Sequence, residues 1–235
     1  MSFTLEDLIR LYGKKKELYG IDAYRHISEI LKEAKILHKK YFMTTGKLDH
    51  EQSWRAFKGK NLEKLIVHIL TDEIHALGLK ITSGNTLEQT SSSKLDKVMD
   101  RVKRNLLVDY GEFGMHLPDV DIIIFDPCDS YIVAIVSVKV TLRERIAQTG
   151  YWKLKLSNAP VTKDVKAYFI TPDEDGTLSI KKPTKKGRAI VETDIDGSYV
   201  MTEANIEESD HVKKFDRFIV DVRNIVETKK RTQRE

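Results

Sequence analysis

LPDVDIIIF, residues 117–125, and YIVAIVSVKV, residues 131–140, decide the fold. Both are short apolar runs, and the Asp126-Pro127-Cys128-Asp129 link between them has turn chemistry. Runs joined by so short a link pair as neighbouring strands. Pairing puts Asp119 and Asp121 at the head of one strand and Lys139 at the tail of the next. Two carboxylates and an ammonium then meet at one edge of a sheet. Carboxylates hold a hard cation such as Mg²⁺. Such a cation polarises a phosphate and acidifies a bound water. A lysine beside it stabilises developing negative charge or positions that water. The grouping is of the kind that metal-assisted cleavage of a phosphodiester requires.

Helices and strands surround this pair. Leu5, Leu8, Ile9 and Leu11 behind a Thr4 cap predict a first helix. Ile27, Ile30, Leu31, Ala34 and Leu37 predict a longer one over Ala23 to Tyr41. Phe42 to Gly46 reads as a loop. A third helix is expected from Gly59 to Leu77, closed by Gly78. Glu63 falls inside its apolar arc, beside Ile66, Val67 and Leu70, where an unpartnered carboxylate is costly. Glu73 also falls in the arc, nearer the end, where it escapes to solvent more easily. LKITSG reads as a strand, and the stretch 91–111 as polar at its start, then helical. TLRERIAQTGYWKLKL reads as a helix with a break at Gly150, and VKAYFI as a strand. Residues 171–205 are turn-rich, with short strands expected at Arg188–Val191 and Tyr199–Met201. A last amphipathic helix is expected over His211 to Thr228, on Val212, Phe215, Phe218, Ile219, Val222 and Ile225.

Composition narrows the class. The chain has 235 residues, 40% hydrophobic and 32% charged, which is ordinary for a globular domain. No run approaches the roughly 18 apolar residues of a membrane span. The first residues carry acids and no long apolar stretch, unlike a secretory signal. The one cysteine, Cys128, excludes an internal disulfide or a cysteine zinc cluster. An intracellular, cytoplasmic location is the expectation. The net charge of +4 is modest. Basic clusters at 14–16, 39–40, 101–104, 153–155, 181–186 and 229–231 favour a polyanionic partner, although solvated helix faces produce the same clusters. There is no HExxH pair, no glycine-rich phosphate loop and no G-x-S-x-G, so zinc hydrolysis, ATP coupling and serine-hydrolase chemistry are not expected.

The order helix, strand, strand, strand, helix, strand, with Glu63 on the first helix, Asp119 after Pro118 and Lys139 on the third strand, resembles the PD-(D/E)xK nuclease superfamily from Gly59 to Ile170. KGKNLEKLIVHILTDEIHALGLKI is similar to that family's first core helix, which often carries a metal-facing glutamate. SVKVTLRERIAQ resembles the type II restriction endonucleases in which a T-x-R-x-R segment follows the catalytic lysine. The resemblance implies an α/β (α+β) fold: a restriction-endonuclease-like core with a central mixed sheet flanked by helices. A helical part at 1–58, for dimer or DNA contacts, and a nuclease core with a C-terminal helix at 59–235 would form one compact domain. It implies Mg²⁺-dependent double-strand cuts, with Mn²⁺ able to substitute, at a short GC-containing palindrome, leaving 5′-phosphates. A homodimer would act on double-stranded DNA with one active site per strand. The setting would be a prokaryotic cytoplasm shared with a cognate DNA methyltransferase that the enzyme does not contact. Asp119, Lys139 and Glu63 would be catalytic. Asp119, Glu63 and the Val138 backbone carbonyl would hold the metal, with Asp121 as a further ligand.

The family's acid two residues before the lysine is Ser137 here. In related enzymes a helix carboxylate substitutes; Glu63 is the first choice, with Glu144 and Glu73 behind it. For DNA contact the candidates are Arg143, Arg145, Gln148, Lys153 and, as an apolar wedge, Met43. Every candidate has a plainer alternative. Asp119 caps a strand, Asp121 is a structural hydrogen-bonder, Lys139 snorkels to water, and Glu63 is a first-turn acid favoured by the helix dipole. The arginines clamp phosphates or pair with Glu144, and Met43 and the aromatics beside Lys153 belong to a core. A repair or junction nuclease of the same superfamily, and a non-catalytic DNA-binding protein permitted by Ser137, are the competing functions.

Overall fold

The computed structural model describes residues 2–45, 48–141 and 145–232. Helices α1 (Leu5–Tyr19), α2 (Ile27–Phe42) and α3 (His50–Ala76) lead into strand β1 (Lys80–Ser83), the short α4 (Gly84–Gln89) and α5 (Lys97–Leu106). A small hairpin of β2 (Val108–Asp109) and β3 (Met115–His116) precedes β4 (Ile122–Phe125) and β5 (Ile132–Val138). Then come α6 (Arg145–Ser157), β6 (Lys166–Thr171), α7 (Lys186–Asp194), β7 (Gly197–Val200), β8 (Val212–Lys214) and α8 (Arg217–Thr232).

Among the described residues the central sheet has six strands in the order β1-β4-β5-β6-β7-β8. The first three are antiparallel, and β5 to β8 run parallel. The expected pairing of the two apolar runs is present, with Ile122 opposite Val136 and Ile123 opposite Ile135. All of β4 and β5 is buried, because helices cover both faces. Ile122, Ile124, Val136, Val138 and Ile170 pack with the apolar sides of α1, α2, α3 and α8. Ile123, Phe125, Ile135 and Ala167 face α5 and the C-terminal half of α6. Phe169, Val200 and Val212 face Ile146 and α7. The N-terminal helices therefore share one core with the sheet.

Local chemistry explains the element ends. Asp96 caps α5, accepting from Val98 N and Met99 N at 2.9 and 2.8 Å. At the end of α3, Gly78 N–H donates to the His75 carbonyl and Leu79 N–H to that of Ile74, at 2.9 and 3.2 Å. That is a Schellman closure, and it needs the φ of +78° that Gly78 adopts.

Several boundaries differ from expectation. Helix α3 starts at His50, not after Gly59, because Asp49 caps it, accepting from Gln52 N at 2.9 Å. Trp54 is also buried there against Phe57, and this packing outweighs the helix cost of Gly59, roughly 1 kcal/mol. Helix α6 runs through Gly150, where a Cβ would stand 3.3 Å from Asp194 Cβ, so the glycine lets α6 and α7 approach. Arg188–Val191 is helical, within α7, where the buried Arg188 guanidinium caps the carbonyls of Leu178 and Glu207. His211 to Lys214 is extended, since Val212 pairs with Ser198 at the sheet edge, and α8 begins at Arg217.

Gly84 locks β1 to the approach of β4. Its N–H donates to the Asp121 carbonyl at 3.0 Å, and a Cβ would lie 1.9 Å from the Val120 carbonyl oxygen. Backbone must move to admit a methyl group. Gly84→Ala is expected to lower the thermal midpoint by several degrees, on the order of 2 kcal/mol. Gly13→Ala, in open space on α1, should leave it unchanged or raise it; equal melting of the two variants would refute this account.

Candidate active site

Three elements bring three charged side chains together. Glu63 comes from the middle of α3, where the buried Leu62, Leu65 and Ile66 press the helix onto one face of the sheet. Asp121 stands one residue ahead of β4, and Lys139 one residue past β5. The hairpin register brings these ends side by side: Asp121 N–H donates to the Val136 carbonyl at 3.1 Å. Lys139 Nζ then donates to both Asp121 oxygens at 2.9 Å and to Glu63 Oε1 at 3.0 Å. Asp121 Oδ2 accepts a further bond from Val138 N at 2.6 Å. Its orientation is fixed by backbone on both sides.

The electrostatics follow from crowding. Burial, then the charge of Asp121, pushes the Glu63 carboxyl up to about 7 against the pull of Lys139. Burial pulls the Lys139 ammonium down, but Asp121 and Glu63 outweigh it and hold it above its ordinary range. Lys139 is thus a fixed cation and a hydrogen-bond donor, not a proton acceptor.

Asp119 is elsewhere. Its side chain is 65% exposed and lies 3.6 Å from the Arg145 guanidinium. Its Oδ2 accepts from Gln148 Nε2 at 2.8 Å, and Gln148 Oε1 accepts from Arg145 at 2.8 Å. The sequence reading makes Asp119 a metal ligand and Asp121 a further one; of the two, Asp121 contacts Lys139 and Asp119 lies beside Arg145 and Gln148. Strand β4 begins only at Ile122, so the alternation that would align both aspartates does not extend to Asp119. Ser137 is buried and accepts from the Thr149 hydroxyl at 2.9 Å. Ser137 thus ties β5 to α6, and the Glu63 carboxylate reaches Lys139 from the opposite face. Glu73 is exposed. Arg143 and Glu144 lie outside the described residues.

Two DNA candidates have different surroundings from those expected. Lys153 pairs with Asp196 at 2.8 Å and donates to the Val165 carbonyl at 3.0 Å, which ties α6 to the sheet and occupies its ammonium. Met43 is 69% exposed, so it is not a core methionine. Tyr151, also expected in a core, is exposed, with its hydroxyl 3.0 Å from that of Tyr110. Sequence reading missed the β2–β3 hairpin immediately ahead of Pro118, which presents Phe113 and Met115 to solvent. Its two strands are too short for a periodic signal; Gly111 and Gly114 are its only marks. A cavity of about 630 Å³ lined by Lys32, Lys35, Trp54 and Lys58 is separate from the charged cluster. The cluster sits at strand ends, as suits a site for a polymer rather than an enclosed small molecule.

Comparison with known proteins gives a consistent picture. The model of the BsaWI type 2 restriction endonuclease family matches residues 98–222. A protein named type II restriction enzyme MjaVIP, from Methanocaldococcus jannaschii, is 38% identical over 176 residues, 73% of this chain and 76% of that one. One named type II restriction enzyme HpyAORF263P, from Helicobacter pylori, is 39% identical over 127 residues, 54% of this chain and 64% of that one. Among solved structures, the AgeI–DNA complex has a TM-score of 0.59 at 14% identity, covering 95% of this chain and 84% of that one. The PspGI–substrate DNA complex has a TM-score of 0.52 at 16% identity, covering 94% and 93%. These two show the fold.

The raised Glu63 carboxyl has a consequence for stability. A carboxyl whose folded pKa exceeds its ordinary value of 4.5 binds its proton more tightly in the folded state, so stability falls as pH rises from that value through about 7. In EDTA, Glu63→Gln should melt several degrees above the parent at pH 8, ~1–2 kcal/mol. At pH 5 the two should melt together. A difference independent of pH would disprove this origin.

Proposed function

This chain belongs to the BsaWI family of type II restriction endonucleases, and we propose that Asp121, Glu63 and Lys139 are the groups that act at the scissile phosphate. The observation that carries this reading is the Lys139 ammonium held 2.9 Å from Asp121 and 3.0 Å from Glu63. Two partly buried carboxylates converging at one point are hard oxygen donors, which fits a site for Mg²⁺ or Mn²⁺. Asp121 and Glu63 would hold the ion, with the Val138 carbonyl as the backbone ligand. When bound, the ion supplies the positive charge that polarises the phosphate and acidifies the attacking water.

The chain's own groups do the rest. Asp121, immobilised by Val138 N–H, sets the position of the phosphate relative to the strand ends. Lys139, held charged, donates to a non-bridging phosphate oxygen and stabilises the pentavalent transition state. Hydrolysis leaves a 5′-phosphate and a 3′-hydroxyl. Arg145 contacts DNA from the exposed outer layer, with Asp119 and Gln148 orienting its guanidinium; Arg143, outside the described residues, is the second arginine assigned to DNA contact. Met43 is an exposed apolar contact for the duplex. The recognition site is a short GC-containing palindrome, read by a symmetric homodimer with one active site per strand. A cognate methyltransferase protects the same site without touching the nuclease. Residues 1–58, which include the first turns of α3, and the 59–235 core act as one domain, the former for dimer or DNA contact. Among the described residues no helix is long and apolar enough to cross a membrane.

A digest of phage and plasmid DNA with Mg²⁺, beside an EDTA control, tests this. Discrete fragments are expected, lost in EDTA. Asp121→Asn and Lys139→Ala should each reduce cleavage by roughly 10²–10³-fold or more while DNA binding persists. Asp119→Asn should keep most of the rate. Full cleavage by the Asp121 variant would remove it from the site.

A further inference from the structure

A second group of ligating side chains lies away from the active site. His26 ends a 3-10 helix, Gly20–His26, and Glu29 follows one turn into α2. Glu203 stands in the segment after β7. The three ligand atoms all lie within 4.8 Å of one another. His26 Nδ1 is 3.2 Å from Glu203 Oε1 and 3.5 Å from Glu29 Oε2. Oxygens about 2.0–2.1 Å from a tetrahedral ion stand roughly 3.3–3.4 Å from its other ligands. Both histidine–carboxylate distances are close to that spacing.

The histidine supplies an independent indication. His26 is 7% exposed, and its buried Nδ1 has no hydrogen bond; the nearest carboxylate oxygens are those of Glu203 and Glu29, at 3.2 and 3.5 Å. A buried polar atom left without a hydrogen bond costs on the order of 1–3 kcal/mol. Its ring is held by Tyr19, stacked at 3.7 Å and 25°. The segment bearing Glu203 is held too, since Lys214 Nζ donates to the carbonyls of Thr202 and Ala204 at 3.0 and 2.6 Å. Glu29 and Glu203 are about half exposed, which leaves an entry path. Lys15 faces the group and donates to Glu29, so its ammonium is a competitor.

We propose that His26, Glu29 and Glu203 form a structural site for a Zn²⁺-class dication, with water as the fourth ligand. An imidazole nitrogen with two carboxylates suits zinc and its neighbours, whereas Mg²⁺ prefers oxygen alone. The ion would tie the N-terminal helices to the far half of the sheet, joining residues 26 and 203, and so stabilise the fold by binding only the folded chain. The site is distinct from the Asp121 cluster, which has no histidine.

Zn²⁺ titration of the full chain, by calorimetry and by dialysis with metal analysis, tests this. One Zn²⁺ is expected at this site, retained in Asp121→Asn, which removes a carboxylate from the active site, and bound about tenfold or more weakly in His26→Gln and Glu203→Gln. Glu203 is exposed, so that variant keeps its fold even if His26→Gln does not. Zn²⁺ should raise the thermal midpoint of the parent but not of Glu203→Gln. Lys15→Gln should bind Zn²⁺ more tightly. Unchanged uptake in Glu203→Gln, or uptake lost in Asp121→Asn, would overturn the proposal.

Discussion

The Lys139 ammonium, wedged between Asp121 and Glu63, is the interaction on which the rest depends. Two carboxylates brought together in a partly dry site repel each other, and each pays a desolvation cost. One ammonium touching both offsets part of that cost and still leaves a net negative site. Its two partners come from different layers: Glu63 from α3 on one face of the sheet, Asp121 from the end of a strand within it. The ion cluster therefore fixes where α3 sits along the strands. The residual mismatch appears in Glu63, which burial and Asp121 hold well above the usual carboxylate range.

Such a cluster needs a rigid support. Strands β4 and β5 are buried on both faces, and Asp121 is held through its own N–H, its carbonyl and its side chain. Outside this rigid core lie the exposed Asp119 and Arg145 and the half-buried Gln148, joined by two hydrogen bonds. Precise placement suits chemistry on a phosphate. An exposed, charged and adjustable layer suits reading a duplex, where contacts must form with groups that arrive from solvent.

Ser137 shows how one position can change its work without dismantling the site. Its hydroxyl accepts from Thr149 and anchors α6 to the sheet. A carboxylate there would need a partner for its charge in a buried environment. The second carboxylate beside Lys139 comes from α3, a helix remote in sequence. The three charged groups are all present, which weighs against a protein that has kept DNA binding and lost its chemistry.

Much was legible in the sequence because its cause is local. The pairing of 117–125 with 131–140 followed from two apolar runs and a four-residue turn, and Lys139 and Glu63 stood out as charges in apolar settings. The end of α3 at Gly78 was readable because a left-handed φ there favours glycine. Tertiary structure decided what depends on partners distant in the chain. It chose Asp121 over Asp119 as the neighbour of Lys139, because the strand's alternation stops before Asp119. It carried helices through Gly59 and Gly150, where packing outweighs intrinsic preference. It made 212–214 an edge strand, since β7 offered backbone hydrogen bonds that no local pattern announces. It occupied Lys153 with Asp196 and left Met43 in solvent. Periodicity reports which face of an element is apolar; only the packed chain settles which charges meet across it.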